Sequence, residues 1–117
     1  LVAADVVLTQ HSSVAVEGAM VGRPVITVNL SGMPDLAPYA EAGVARTAVS
    51  EREVTALVDR VRAGETLVDR ATLERGLRRI IGPLDGRAAE RVAAYLGDLL
   101  SGAGDERETL VATRADA

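Results

Sequence analysis

The amino-acid sequence predicts an α/β domain, a parallel sheet of about three strands flanked by helices. Three observations carry this reading. Two short apolar, β-branched runs, Asp5–Thr9 and Pro24–Asn29, have the pattern of strands covered on both faces. The segment between them is long enough for one helix and closes on Gly22-Arg23-Pro24. Helical periodicity then dominates the second half. With 117 residues, 48% of them hydrophobic, the chain can bury one core.

Taken in order, Leu1-Val-Ala-Ala4 resembles the last turn of a helix whose earlier turns are missing, which predicts an N-terminally incomplete domain. Asp5–Thr9 is the first strand, buried on both sides. Gln10-His-Ser-Ser13 is a polar break. Val14–Val21 is apolar all round except for Glu17, which predicts a buried helix with a glycine-proline stop. Pro24–Asn29 is the second strand, proline being tolerated at its first position. Together these segments make a βαβ unit of about thirty residues.

Ser31–Asp35 is loop chemistry, Leu36–Ala42 suggests a short helix, and Val44–Val49 a third, short strand. Ser50 and Glu53 have the spacing of a capping box. Val54, Leu57, Val58 and Val61 follow on one helical face until Gly64. Thr66 and Asp69 open the next helix, lined by Leu73, Leu77, Ile80 and Ile81 and stopped by Gly82-Pro83. Asp85 is placed to cap a last helix, with Ala88, Val92, Tyr95, Leu96 and Leu99 along one side. The folded part is therefore residues 1–101. Residues 102–117, polar and unperiodic, are expected to be a disordered tail.

Composition excludes several classes. The formal charge of −4 and an aromatic content of 2% leave neither a basic field nor stacking groups for nucleic acid. No apolar run approaches the roughly 18 residues of a membrane span, and no targeting segment opens the chain. Cysteine is absent and histidine occurs once, so neither disulfides nor a metal site are expected. A cytoplasmic location fits. The arginine-only cation set is most simply a coding bias.

One turn has the position of a binding site. Ligands of open α/β sheets sit beyond the carboxyl ends of the strands, and Gln10–Ser13 lies at such an end and feeds a helix. A helix start offers unpaired N–H groups and the positive end of the dipole, and Ser12 and Ser13 are small enough to let a diphosphate approach. Serine at this position also serves as a plain N-cap. Glu17, one turn on, is the single charge on an apolar helix, where the diol of a ribose would supply donors. Exposure on the helix surface is its alternative. His11 can donate to a phosphate oxygen or lie idle. A nucleophile elbow is ruled out because Gln10 and Val14 stand where glycines are needed around Ser12. A P-loop and a dinucleotide fingerprint are absent, as is any lysine. A receiver-like, non-catalytic module would need an acid where Thr9 and Gln10 stand.

At these residues the chain resembles the C-terminal domain of GT-B enzymes, which include many glycosyltransferases and the non-hydrolysing UDP-N-acetylglucosamine 2-epimerases. The similarity covers roughly residues 4–100. It rests on Ala4–Thr9, His11-Ser-Ser-Val14, Glu17-Gly-Ala19, Gly22-Arg-Pro-Val-Ile26, Pro34-Asp35 and Glu41-Ala-Gly43. In the epimerases a Ser-Gly-Gly-Val-Gln-Glu-Glu stretch takes the diphosphate on its backbone and the ribose on its second glutamate. The resemblance thus places nucleotide binding on His11, Ser12, Ser13, Val14 and Glu17. Val16 replaces the first glutamate and serines replace both glycines, a pattern closer to related sugar and polyol-phosphate transferases. The implied fold is the C-terminal half of a partial Rossmann-like nucleotide-sugar domain. The implied function is the donor-binding half of a glycosyltransferase that uses an NDP-sugar, UDP-sugar above all, in glycan or polysaccharide synthesis. A 2-epimerase fragment is the alternative. No separate cofactor is implied. The implied partner is a missing N-terminal GT-B domain, which would supply the catalytic groups. No catalytic residue carries over to this chain. The Asp85–Val92 segment is similar to the family's closing helix, which crosses back toward that domain.

Overall fold

The computed structural model describes residues 1–101. The described residues divide into two compact units, residues 1–82 and 83–101.

The first unit holds a three-stranded parallel sheet, the smallest form of the α/β class. Strand β1 (Val7–Thr9) leads through helix α1 (Val14–Met20) to β2 (Val25–Val28). Strand β3 (Arg46–Ala48) completes the order β1-β2-β3. Val7 pairs with Val25 and Thr9 with Thr27, while Ile26 pairs with Arg46 and Val28 with Ala48. Helices α2 (Glu51–Arg62) and α3 (Arg70–Ile81) follow.

The alternation of side chains along each strand divides the core in two. On one face Val7 and Val25 meet Ala15, Val16 and Ala19 of α1 and Leu77 of α3, with Tyr39, Val44 and Ala45. On the other, Ile26, Ala48 and Leu67 are covered by Val54, Leu57, Val58 and Val61 of α2. Val28 joins this second cluster. Two glycines allow close approach. A methyl group on Gly18 would sit 2.9 Å from Val7 Cγ2, and one on Gly76 would collide with the Ala42 carbonyl oxygen.

Several expectations need correction. The first strand is shorter than Asp5–Thr9 and is not covered on both faces, since Leu8 is 46% exposed. The reason is positional: α2 lies over β2 and β3, and no described helix covers Leu8's side of β1. Helix α1 is half-buried rather than buried, with Ala15, Val16, Gly18 and Ala19 inward and Glu17 and Met20 outward. Leu36–Ala42 is not a helix but a pair of bends followed by turns: Pro38 has no N–H to donate, and the i→i−4 bond formed here is that from the Ala42 N–H to the Pro38 carbonyl. The Val44 and Ala45 N–H groups both turn instead to the carbonyl of Tyr39.

Capping also departs in detail. Ser50 accepts from the Glu53 N–H as a capping box requires, but Glu53 reaches past it to the Val49 N–H at 2.9 Å. Asp69 alone caps α3, accepting from the Thr72 N–H at 2.9 Å, so Thr66 lies outside the helix. The hydrogen bonds from Thr72 hold the Asp69 carboxyl below its ordinary value.

The second unit contains helix α4 (Ala88–Leu100). Asp85 does not cap it. Its carboxylate accepts from the Arg87 N–H and pairs with Arg91, which lowers its pKa. The expected tail, 102–117, lies outside the described residues. No described helix is long and apolar enough to cross a membrane.

Candidate functional site

Because the strands are parallel, the turn after β1 and the loop after β2 emerge at the same, carboxyl, end of the sheet. The turn carries His11, Ser12 and Ser13. Ser12 is the residue that closes the helix start: its Oγ accepts from the Val14 N–H at 3.2 Å and its carbonyl from Ala15. Ser13 is the N-cap by position, yet its backbone is already helical (φ −57°, ψ −16°) and its hydroxyl makes no capping bond.

The first turn of α1 is therefore tighter than the sequence suggests. The Val14, Ala15 and Val16 N–H groups are taken by Ser12 Oγ, the Ser12 carbonyl and the Ser13 carbonyl. The donors left at the turn are the N–H groups of Ser12 and Ser13, the Ser13 hydroxyl and the half-buried His11. Val14 is half-buried and packs its side chain on the core, so its share of the turn is through the backbone.

Glu17 lies one turn along from Ser13 on the same side of α1, the spacing at which two side chains are neighbours. It is exposed, which corrects the expectation of a carboxylate enclosed by apolar groups. The outer side of the helix is open, and among the described residues no cation pairs with Glu17. Ser13 and Glu17 thus present a hydroxyl and a carboxylate to solvent from one helix face.

Two features of this end of the sheet escaped sequence reasoning. Thr9, Thr27 and Thr47 are aligned in register across the three strands, and the Thr27 and Thr47 hydroxyls are 2.8 Å apart. Thr27 is buried. The signal was available: each strand carries a threonine at the paired position. Asn29 is also buried, and it organises the loop after β2. Its Nδ2 donates to the Met33 carbonyl and to Asp35 Oδ1, each at 2.7 Å, and its Oδ1 accepts from the Ser31 hydroxyl at 2.9 Å. Asp35 is accordingly committed to holding the loop.

The turn is an open shelf rather than a pocket. A more enclosed cavity, about 170 Å³, lies toward the amino end of β2 and is lined by Arg23, Val25, Val44 and Leu67 among others. Its charged lining is Arg23 and Glu65, and Glu65 is bonded to Arg60 at 2.8 Å. A single arginine beside a carboxylate gives it little to hold an anion, so position and donor chemistry favour the shelf. Among the described residues no group of three or more potential metal ligands occurs.

The fold and the shelf together define a small α/β unit of Rossmann-like kind with its exposed polar groups at the carboxyl end of the sheet. No family model, no curated protein and no solved structure matches the chain.

Proposed function

We propose that the chain is the nucleotide-diphosphate-sugar binding half of a glycosyltransferase, with a UDP-sugar as donor for glycan or polysaccharide synthesis in the cytoplasm. The observation that supports this best is the uncommitted set on one side of α1. The Ser13 N–H and hydroxyl take a diphosphate oxygen, and the exposed Glu17 carboxylate accepts from the two hydroxyls of the ribose. Ser12 shapes the turn and lends its N–H, and His11 adds a donor from the flank. Donors fixed in place before reaction stabilise the charge that develops on a departing nucleoside diphosphate. The acceptor and its base belong to a partner domain.

The uncovered side of β1 supports the reading of the chain as half of such a domain. In a parallel ladder the backbone groups of alternate residues point to opposite sides. Val7 donates to the Pro24 carbonyl at 2.9 Å, so Leu8 turns its N–H and C=O away from β2. A further strand beside β1, with a helix over Leu8, completes the sheet.

Calorimetric titration of the chain with UDP tests the proposal. We expect binding in the micromolar-to-millimolar range, as suits half a site. Glu17→Ala is expected to weaken it about tenfold through the lost ribose hydrogen bonds. Ser13→Pro, which suits the observed φ but deletes both the N–H and the hydroxyl, is expected to weaken it at least as much. A folded chain that ignores UDP contradicts the proposal.

A further inference from the structure

The open edge of β3 carries a second group of donors, set entirely within the first unit. A groove of about 370 Å³ lies between that edge and α2, lined by Arg46 and Thr47 of β3 and by Glu53, Ala56, Leu57 and Arg60 of α2. The four helix residues are spaced three and four apart, so they form one stripe beside the strand.

Both arginines are tethered by one nitrogen and open at the others. Arg46 Nε donates to the Leu67 carbonyl at 3.0 Å, and Arg60 Nε donates to Glu65 Oε2 at 2.8 Å. These bonds restrain the two guanidinium groups and leave the Nη groups of each without a partner among the described residues. The backbone adds a further donor. The Ala48 carbonyl accepts from the Asn29 N–H, so Ala48 faces β2 and Thr47, its neighbour in the alternation, turns its N–H to the open edge. The carboxylates nearby are already engaged. Glu53 accepts from the Val49 N–H at 2.9 Å, and Glu65 is the tether of Arg60.

A donor set of this kind holds an oxyanion. Guanidinium groups bind paired oxygens through parallel N–H donors, and tethering them beforehand reduces the entropy lost when a ligand arrives. A carboxylate has two oxygens to share among two guanidinium forks and a backbone N–H, whereas a phosphate has at least three, so the donor count favours phosphate. Ala56, one turn before Arg60, contributes only a methyl group, so no bulky side chain fills the groove there. Charges that keep another strand off β3 thus leave room for a compact anion.

We infer that the groove between β3 and α2 is a phosphate site, in which Arg46, Arg60 and the Thr47 N–H hold inorganic phosphate or a small phosphate monoester. This goes beyond the nucleotide-sugar reading and does not depend on it, since the turn at the start of α1 contributes no residue to the groove.

Titration of the full chain with inorganic phosphate at constant ionic strength, followed by backbone amide and arginine side-chain resonances, tests the inference. Saturable shifts centred on Arg46, Thr47 and Arg60 are expected, with a Kd on the order of 1 mM. Arg46→Gln and Arg60→Gln are each expected to raise that Kd about tenfold. Arg52→Gln removes an equal charge from α2 outside the groove and is expected to leave it unchanged. Circular dichroism confirms that the variants fold, and Arg60→Gln decides the matter if Arg46→Gln, which also unties β3 from Leu67, does not. Glycerol phosphate distinguishes the two sources: tighter binding than inorganic phosphate identifies a monoester, weaker binding the free ion. A folded wild-type chain with no saturable shift below about 20 mM phosphate overturns the inference. So do shifts centred on residues 10–13, or a loss of affinity in Arg52→Gln as large as that in Arg60→Gln, which is general charge attraction without a site.

Discussion

At the scale of single residues, Gly76 and Asp69 bind sequence to stability most directly. The Ala42 carbonyl oxygen occupies the place a Gly76 side chain would need, and backbone yields less than a side chain. Gly76→Ala is therefore expected to destabilise the first unit by about 1–3 kcal/mol, measured by urea unfolding. Gly18→Ala costs less, because its neighbour is the Val7 methyl group. Asp69 predicts a pH dependence. Its folded pKa lies below the ordinary 3.8, so its contribution is fully present above that value and is lost as pH falls through the folded value. Asp69→Asn, which keeps a cap but cannot titrate, is expected to show a smaller drop in Tm between pH 7 and pH 3 than the wild type. The site residues themselves were legible as residues and not as environments. Ser12, Ser13 and Glu17 could be picked out by type and spacing. Which serine caps the helix, and that Glu17 faces water, depends on turn geometry and on what lies over α1, which a local pattern does not contain.

At the scale of elements, the two edges of the sheet differ. Just past β3, the Val49 N–H is plugged by the Glu53 carboxylate, and the groove beside it is lined by Arg46, Glu53 and Arg60, charges that discourage another strand. Among the described residues nothing comparable flanks the edge of β1, where Leu8 is exposed. Glu53→Ala is expected to lower Tm modestly, since it removes the carboxylate from the Val49 N–H while the Ser50 cap on the Glu53 N–H remains, and to increase aggregation on heating by opening that edge. Helices α2 and α3 were readable nearly to the residue because periodicity, cap and glycine stop agree. The segment 36–42 was misread because its apolar spacing suits one turn of helix, while Tyr39 is drawn into the core and its carbonyl serves Val44 and Ala45. Strand burial was overestimated at Leu8 because an apolar run records what a strand is suited to, not which neighbours are present.

At the scale of the whole molecule, both core clusters are built from residues between Val6 and Ile80. Removing everything after Gly82 is therefore expected to leave the cooperative transition of the first unit within about 4 °C of its original Tm in calorimetry. A larger fall would mean that the later segment supports that core. The proposed function turns on a nucleoside diphosphate being held on the open shelf at the start of α1. It is tested most directly by following backbone amide resonances of the chain during titration with UDP. Saturable shifts are expected, largest at His11, Ser12, Ser13 and Val14, with Glu17 following and with the midpoint moved to about tenfold higher UDP in Glu17→Ala. Shifts centred instead on Arg23 and Leu67, or none at all in a folded chain, would contradict it.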